Sequence, residues 1–570
     1  MEKVSDFIKK HSEIFTILGL ILLCYFVFFF NIGNYALMDV DETRYVSMAR
    51  DMFNTKDFLT LYLNGEYFFE KPPLYFWGEC LSFALFGHVN EFSARFPVAL
   101  YGMLCTFLMY FIGKKVVSSR YGLVSAIILA TTMEFVMLAK FAILDIVVTT
   151  CIGFSVLFGF MTQFVQEKNV KYFWWLFYIF SGLAVMAKGI PGFVVPFGTM
   201  FFVTIFNKSF KKIFKPQYFI VGSLLFLLIV LPWHIVMFKM HDPLFFNEYI
   251  MKHHINRFFS SSEIHRKQPF YFYFLTILWG TFPYVLSALA VGITKIKGWI
   301  ASGVNICTSP NNTDIISRND MAQKFLWFNV IGFTFTMLFF SSSSTKLITY
   351  ILPVYFFTSF IIAYVWEDYI FNGKWKKEIN LTVYILGGLF ILASIAGCFM
   401  NFYLPEKIYA DVKSIQWFCV AVTGIFGISS ISLAKKEKFK GVFISYALLI
   451  VILSAFGTKL FYNMDYSFGQ NDLMEFAKYC RDNGDKVAVI NGGRKYSVLY
   501  YYGDKVSYVT VNTYDETISD DEKVLLKPEV KTIIKNKDID DMLQRFDFNV
   551  IKEGKKYKLV EIKDLKMLRR

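Results

Sequence analysis

Three carboxylates open a short stretch early in the chain: Asp39, Asp41 and Glu42, in the run Met38-Asp39-Val40-Asp41-Glu42-Thr43-Arg44-Tyr45. Apolar residues follow at Tyr45, Met48, Ala49, Met52 and Phe53. That i, i+3, i+4, i+7, i+8 spacing predicts a helix lying on a membrane surface. Acids suit the N-terminus of such a helix, and Asp39 with Glu42 three residues on would make a capping box. Asp41 is left without a structural duty and is a candidate catalytic carboxylate.

Further along comes Tyr67-Phe68-Phe69-Glu70-Lys71-Pro72-Pro73, an ion-pair doublet held between aromatics and two prolines of fixed φ. It reads either as an interfacial belt with a snorkelling lysine or as a cavity in which Lys71 faces an anionic headgroup. Asp145 sits at the edge of an apolar span, shortly after Lys140. An ionisable group at membrane depth costs about 2.5–3.5 kcal/mol to insert, so function is its default reading, with a Lys140–Asp145 structural pair as the alternative. Lys188, in Ala187-Lys188-Gly189, reads as the cap of a tight turn.

The segment from His253 to Phe270 holds His253, His254, Arg257, His265, Arg266 and Lys267. Guanidinium groups grip phosphate through paired hydrogen bonds, and neutral imidazole can ligate metal, although this spacing fits no standard metal motif. Lys346 and Tyr350, four apart in Ser344-Thr345-Lys346-Leu347-Ile348-Thr349-Tyr350, share one helical face.

These groups must be positioned by a membrane. The 570 residues are 55% hydrophobic and only 18% charged, outside the range of soluble chains. Apolar blocks at 14–32, 93–113, 121–138, 142–163, 172–187, 190–206, 217–238, 269–294, 324–341, 348–365, 380–400, 412–434 and 441–460 predict thirteen transmembrane helices. The expected architecture is a polytopic α-helical membrane domain over 1–461 with outer loops 33–92 and 239–268. A small extracytoplasmic α/β domain over 462–570 follows, read from its alternating runs. Placing the N-terminus in the cytoplasm puts 23 basic residues in inner segments and 16 in the rest of 1–461, as the positive-inside rule asks. The net charge of +14 therefore reports topology, and nucleic acid is excluded as a partner. The eight cysteines form no CxxC pair, so neither a disulfide framework nor a zinc site is expected.

All the candidates fall on the outer side of their spans. Acids for one partner and cations for a phosphate, beside a bilayer, suit transfer from a lipid-linked phosphate donor. A lipid or solute transporter is the alternative, but transporters place paired charges in broken helices near the midplane.

The ordered motifs Asp41-Glu42-Thr43-Arg44-Tyr45, Phe69-Glu70-Lys71-Pro72, His254…Arg257-Phe258…His265-Arg266…Pro269-Phe270 and Lys346-Leu347-Ile348-Thr349-Tyr350-Ile351-Leu352-Pro353 resemble the bacterial aminoarabinose transferase of lipid A. The wider group is the protein O-mannosyltransferase-like glycosyltransferases of the GT-C fold. The resemblance implies an enzyme of the bacterial inner membrane, transferring a sugar with inversion from undecaprenyl phosphate on the outer face. The acceptor would be lipid A or another glycolipid, with protein as the alternative. It implies Asp41 as catalytic carboxylate, Glu42 beside it, and Asp145 as a second acid at the cavity. Lys71, helped by Arg257, Arg266, Tyr350 and Lys346, would hold the donor phosphate. A divalent metal near Glu70 and His254 is also implied.

Overall fold

With no water in a bilayer core, backbone N–H and C=O groups must pair within their own segment, so apolar blocks become helices. The computed structural model describes residues 12–209, 215–256, 268–302, 318–463, 469–491, 495–511, 520–527 and 529–565. Among these residues, nine helices are long and apolar enough to cross a membrane, beginning with Ser12–Phe29 and ending with Phe439–Gly457.

Several of the thirteen expected spans take a different form. The block at 121–138 is broken into Ser119–Ala130 and Met133–Leu138. Between them, the Thr131 and Thr132 hydroxyls donate back to the carbonyls of Ile127 and Ile128, at 2.6 and 2.7 Å; such back-bonding competes with the helical ladder. The blocks at 142–163 and 190–206 shorten to Asp145–Met161 and Pro191–Phe206. The block at 269–294 bends by 116° between Phe272–Gly280 and Val285–Lys295; the break contains Pro283, which has no N–H to continue a helix.

Residues 33–92 carry the surface helix, Asp41–Thr55, a two-stranded hairpin of Tyr62–Leu63 and Glu66–Tyr67, and a 13-residue helix, Leu74–Phe86. Gly65 turns the hairpin at φ 86°, a region open to glycine at little cost.

Beyond residue 469 the chain forms a five-stranded sheet. Its order is Ser507–Val509, Lys486–Ile490, Val530–Lys535, Tyr557–Leu565, Phe546–Glu553, with the first three strands parallel and the last two joined antiparallel. The period of two along a strand gives it two apolar faces. Ala488, Ile490 and Ile534 lie in a core of the sheet's own, whereas Val487, Val489 and Ile533 are continuous with the core of the helical part.

That continuity is reinforced by polar ties to the first outer loop. Arg50 donates to the carbonyls of Leu499 and Tyr500, Gln470 to that of Leu37, and Asn64 exchanges two hydrogen bonds of 2.9 Å with Val506. The sheet unit is thereby held directly against the candidate catalytic loop.

Candidate active site

The surface helix forms where its spacing predicts, but its cap differs from the expected one. Val40 is the N-cap residue and has no side-chain cap bond. Asp39 instead accepts from Thr43 Oγ1 at 2.7 Å and from the N–H and hydroxyl of Ser497 at 2.8 and 2.7 Å.

Glu42 is also drawn elsewhere. It is 2% exposed and grips Arg95, itself 0% exposed, through bonds of 2.7 and 2.8 Å. It further accepts from the N–H groups of Met38 and Ala142, both at 2.8 Å. Arg95 directs its remaining donors at the carbonyls of Ile32, Tyr35 and Ala36. A buried ion pair holds only when its lone pairs and protons are satisfied in this way. Glu42 is a hub of the fold, set away from the open surface on which Asp41 lies. The Asp41 side chain is about half exposed and holds Arg44 at 2.7 Å.

Arg44 links the acids of this loop. Burial pulls its guanidinium pKa down, but Tyr45, Asp41 and Glu70 together push it higher still, so it stays charged. Lys71 is buried, with its ammonium 3.2 Å from the Glu70 carbonyl and 3.8 Å from the Glu70 carboxylate.

A cavity of about 350 Å³ gathers Glu70, Lys71, Asp145, Lys188, Thr349 and Tyr350, with walls that include Ile152, Val194, Phe339 and Phe340. Polar groups thus converge at one place in an otherwise apolar pocket, the usual form of a small-molecule site. The Lys140–Asp145 pair is absent. Asp145 pairs with Lys188, and Lys140 donates to the carbonyls of Phe30 and Ser454. Lys188 also lies 4.3 Å from the centre of the Tyr350 ring, within cation–π range. Lys188 is the residue that the sequence assigned to a turn.

Lys346 lies beside the cavity rather than in its wall. Its ammonium donates to the carbonyls of Gln268 and Ser343, at 3.2 and 2.6 Å, joining two loops. Burial lowers its pKa from the ordinary lysine value.

Arg257 and Arg266 fall outside the described residues, as does the side chain of His254. Glu70 is instead met by His253, whose Nε2 is 3.9 Å from Glu70 Oε1 and 3.5 Å from Glu248 Oε2. Among the described residues, no three His, Cys, Asp or Glu side chains gather closely enough to hold a metal ion.

A second cavity, of about 490 Å³, lies between the first outer loop and the sheet unit, and Glu70 lines both. Arg44 brings Asp41 to its edge.

The family described as dolichyl-phosphate-mannose-protein mannosyltransferase matches residues 13–246. The chain is 24% identical over 417 residues to undecaprenyl phosphate-alpha-4-amino-4-deoxy-L-arabinose arabinosyl transferase 2 of Proteus mirabilis (strain HI4320), covering 72% of this chain and 70% of that protein. With arabinosyl transferase 1 of the same strain it is 26% identical over 452 residues, 77% of this chain and 75% of that one. In fold it is similar to ArnT from Cupriavidus metallidurans, in a crystal structure bound to undecaprenyl phosphate, with a TM-score of 0.75 and 17% identity. That match covers 95% of this chain and 97% of the other. The chain is a membrane glycosyltransferase of the GT-C fold, similar to the aminoarabinose transferases.

Proposed function

We propose that this protein moves a sugar, with inversion, from undecaprenyl phosphate or a related polyprenyl phosphate to an envelope acceptor at the outer face of the inner membrane. The N-terminus lies in the cytoplasm, thirteen segments cross or enter the bilayer, and the sheet unit stands outside. The observation that carries the reading is the apolar cavity in which Lys71 and Lys188 meet two carboxylates and Tyr350. Apolar walls suit an isoprenoid chain, and its two ammonium groups suit the phosphate.

The chemistry is a displacement at the anomeric carbon. The acceptor oxygen attacks as the bond to the phosphate oxygen breaks, and that oxygen keeps the electron pair. Lys71 and Lys188 stabilise the charge that develops there, where a water-poor site strengthens each interaction. Asp145 pairs with Lys188 and aims it. Asp41 takes the proton of a hydroxyl acceptor as general base. Tyr350 packs against Lys188, while Glu42 fixes the loop that presents Asp41. Arg257 and Arg266 are assigned to the donor phosphate by the family resemblance.

The test is transfer in proteoliposomes carrying undecaprenyl-phosphate sugars, followed by mass spectrometry of envelope lipids and glycans from cells with and without the protein. A missing modification would name donor and acceptor together. Movement of the lipid across the bilayer with no product formed would sink the transferase reading in favour of a transporter.

A further inference from the structure

The cavity between the first outer loop and the sheet unit is not needed to hold a polyprenyl phosphate, yet it meets the donor cavity at Glu70. One wall comes from the hairpin, with Tyr67 and Phe68, and the other from the sheet unit, with Tyr496 and Tyr508. Both walls are rigid. Tyr67 is 51% exposed but stacks on Phe69 at 5.5 Å with their planes 13° apart, and the Tyr508 hydroxyl donates to the Lys495 carbonyl at 3.0 Å. Asn64 and Asn491, also in the lining, are each bonded through both amide atoms to backbone, at Val506 and Val511 respectively.

Among the described lining residues, acids outnumber cations. Arg44 stands against the carboxylates of Glu66 and Glu70, and its guanidinium is already held by Asp41 at 2.7 Å. A phosphorylated acceptor would meet the Glu66 carboxylate beside an Arg44 paired with Asp41 and a Glu70 that already faces Lys71 and His253, and like charges repel. Aromatic faces, by contrast, offer an uncharged sugar ring broad apolar contact with polar edges nearby.

We infer that this cavity is the acceptor site and that it takes an uncharged sugar residue, whose hydroxyl is the nucleophile. The inference rests on the transferase reading above and narrows its acceptor. The acceptor hydroxyl, entering past Arg44, forms a bond from its oxygen to the anomeric carbon and gives its proton to Asp41. The polyprenyl phosphate leaves with the electron pair of the broken C–O bond. A phosphate acceptor is already ionised and would give Asp41 no proton to remove.

The experiment uses the full-length protein in nanodiscs with saturation-transfer NMR. The probes are methyl α-glucoside, methyl α-galactoside, methyl α-mannoside and methyl N-acetylglucosaminide, set against glucose 1-phosphate. At least one uncharged glycoside is expected to bind, and to bind about five- to tenfold more weakly in Tyr67→Ala and Tyr508→Ala. Thermal stabilisation by undecaprenyl phosphate, unchanged in both variants, serves as the fold control, and the exposed Tyr67 keeps the test open if Tyr508→Ala does not fold. Preference for glucose 1-phosphate, silence from all four glycosides, or glycoside binding unmoved by the substitutions would overturn the inference. Failure of undecaprenyl phosphate to stabilise the wild-type protein would instead overturn the transferase reading.

Discussion

Asp39 and Ser497, 458 residues apart, are joined by two hydrogen bonds: the Ser497 N–H and hydroxyl both donate to the Asp39 carboxylate. Ser497 lies in the first turn of the helix Tyr496–Tyr502, so an acid of the outer loop caps a helix of the sheet unit. The same acid stands two residues from Asp41, and docking of the sheet unit therefore sets where the candidate base lies.

Ser497→Ala removes the hydroxyl donor and leaves the N–H in place. Loss of one such bond to a charged group costs about 1.5–3 kcal/mol. Transfer is expected to slow while donor affinity holds, and limited proteolysis should release the sheet unit more readily. A variant that turns over normally would remove Asp39 from this role.

Asp41→Asn and Lys71→Ala should fail differently. Losing a general base lowers kcat by about 10²–10⁴-fold with a hydroxyl acceptor, leaving the donor KM near its original value. Lys71→Ala should raise the donor KM and lower kcat as well, since on the proposed reading its ammonium both holds the donor phosphate and meets the charge that develops on it. Steady-state rates in proteoliposomes separate the two.

The pairing of Asp145 with Lys188 predicts strong non-additivity. Each single alanine variant strands a charge in an apolar pocket, and breaking a buried pair from one side costs about 3–5 kcal/mol when burial is complete. Both side chains keep some exposure, 12% and 15%, so a smaller loss is expected. The double variant should be more stable than the sum of the singles implies, yet inactive, because the donor phosphate loses Lys188. Thermal unfolding with a double-mutant cycle measures the first, and transfer the second.

Glu79, in the helix Leu74–Phe86, should give folding a pH signature. It is 0% exposed, accepts a hydrogen bond from Tyr75, and has its Oε2 without a hydrogen-bond partner among the described residues. Burial raises its pKa well above the usual carboxylate value, the Tyr75 bond lowers it in part, and Glu42 raises it further. The folded protein thus keeps this proton to higher pH than the unfolded chain does. Stability from this group is complete below about pH 4 and falls as pH rises through the native pKa. Glu79→Gln should abolish that slope and make the protein more stable at neutral pH, read as unfolding temperature between pH 4 and 8.

How much of this was legible in the sequence differs from residue to residue. The surface helix at Asp41–Thr55 followed from its spacing, because an amphipathic stripe depends only on local period. Glu42 looked like a capping acid because its partner, Arg95, lies 53 residues on; an arginine inside an apolar span needed an anion and was the available signal. Lys188 read as a turn cap for the same reason. Its position beside Gly189, which has φ 80°, is locally sufficient, and only Asp145, an acid at the edge of an apolar span, hinted at a long-range partner. Span breaks at Thr131 and Thr132 were hidden because both side chains are compatible with an apolar run until tertiary packing favours their back-bonds. The second cavity was invisible, since it exists only once the hairpin at residue 64 stands opposite the strand at residue 508.

Asp41 and Glu42 are neighbours in sequence, and successive residues on a helix point about 100° apart. One carboxylate therefore faces the surface while the next is sealed against Arg95. The order of the two acids carries information that their composition does not. Exchanging them keeps the charge and every atom count, but puts a chain one methylene too short at the hub and one too long at the surface. Inserting a single residue between Glu42 and Thr43 would be worse, moving Glu42 to the surface-facing position and Asp41 off the start of the helix. This dyad is a phase marker for the helix, fixing which face meets Arg95 and which meets Arg44.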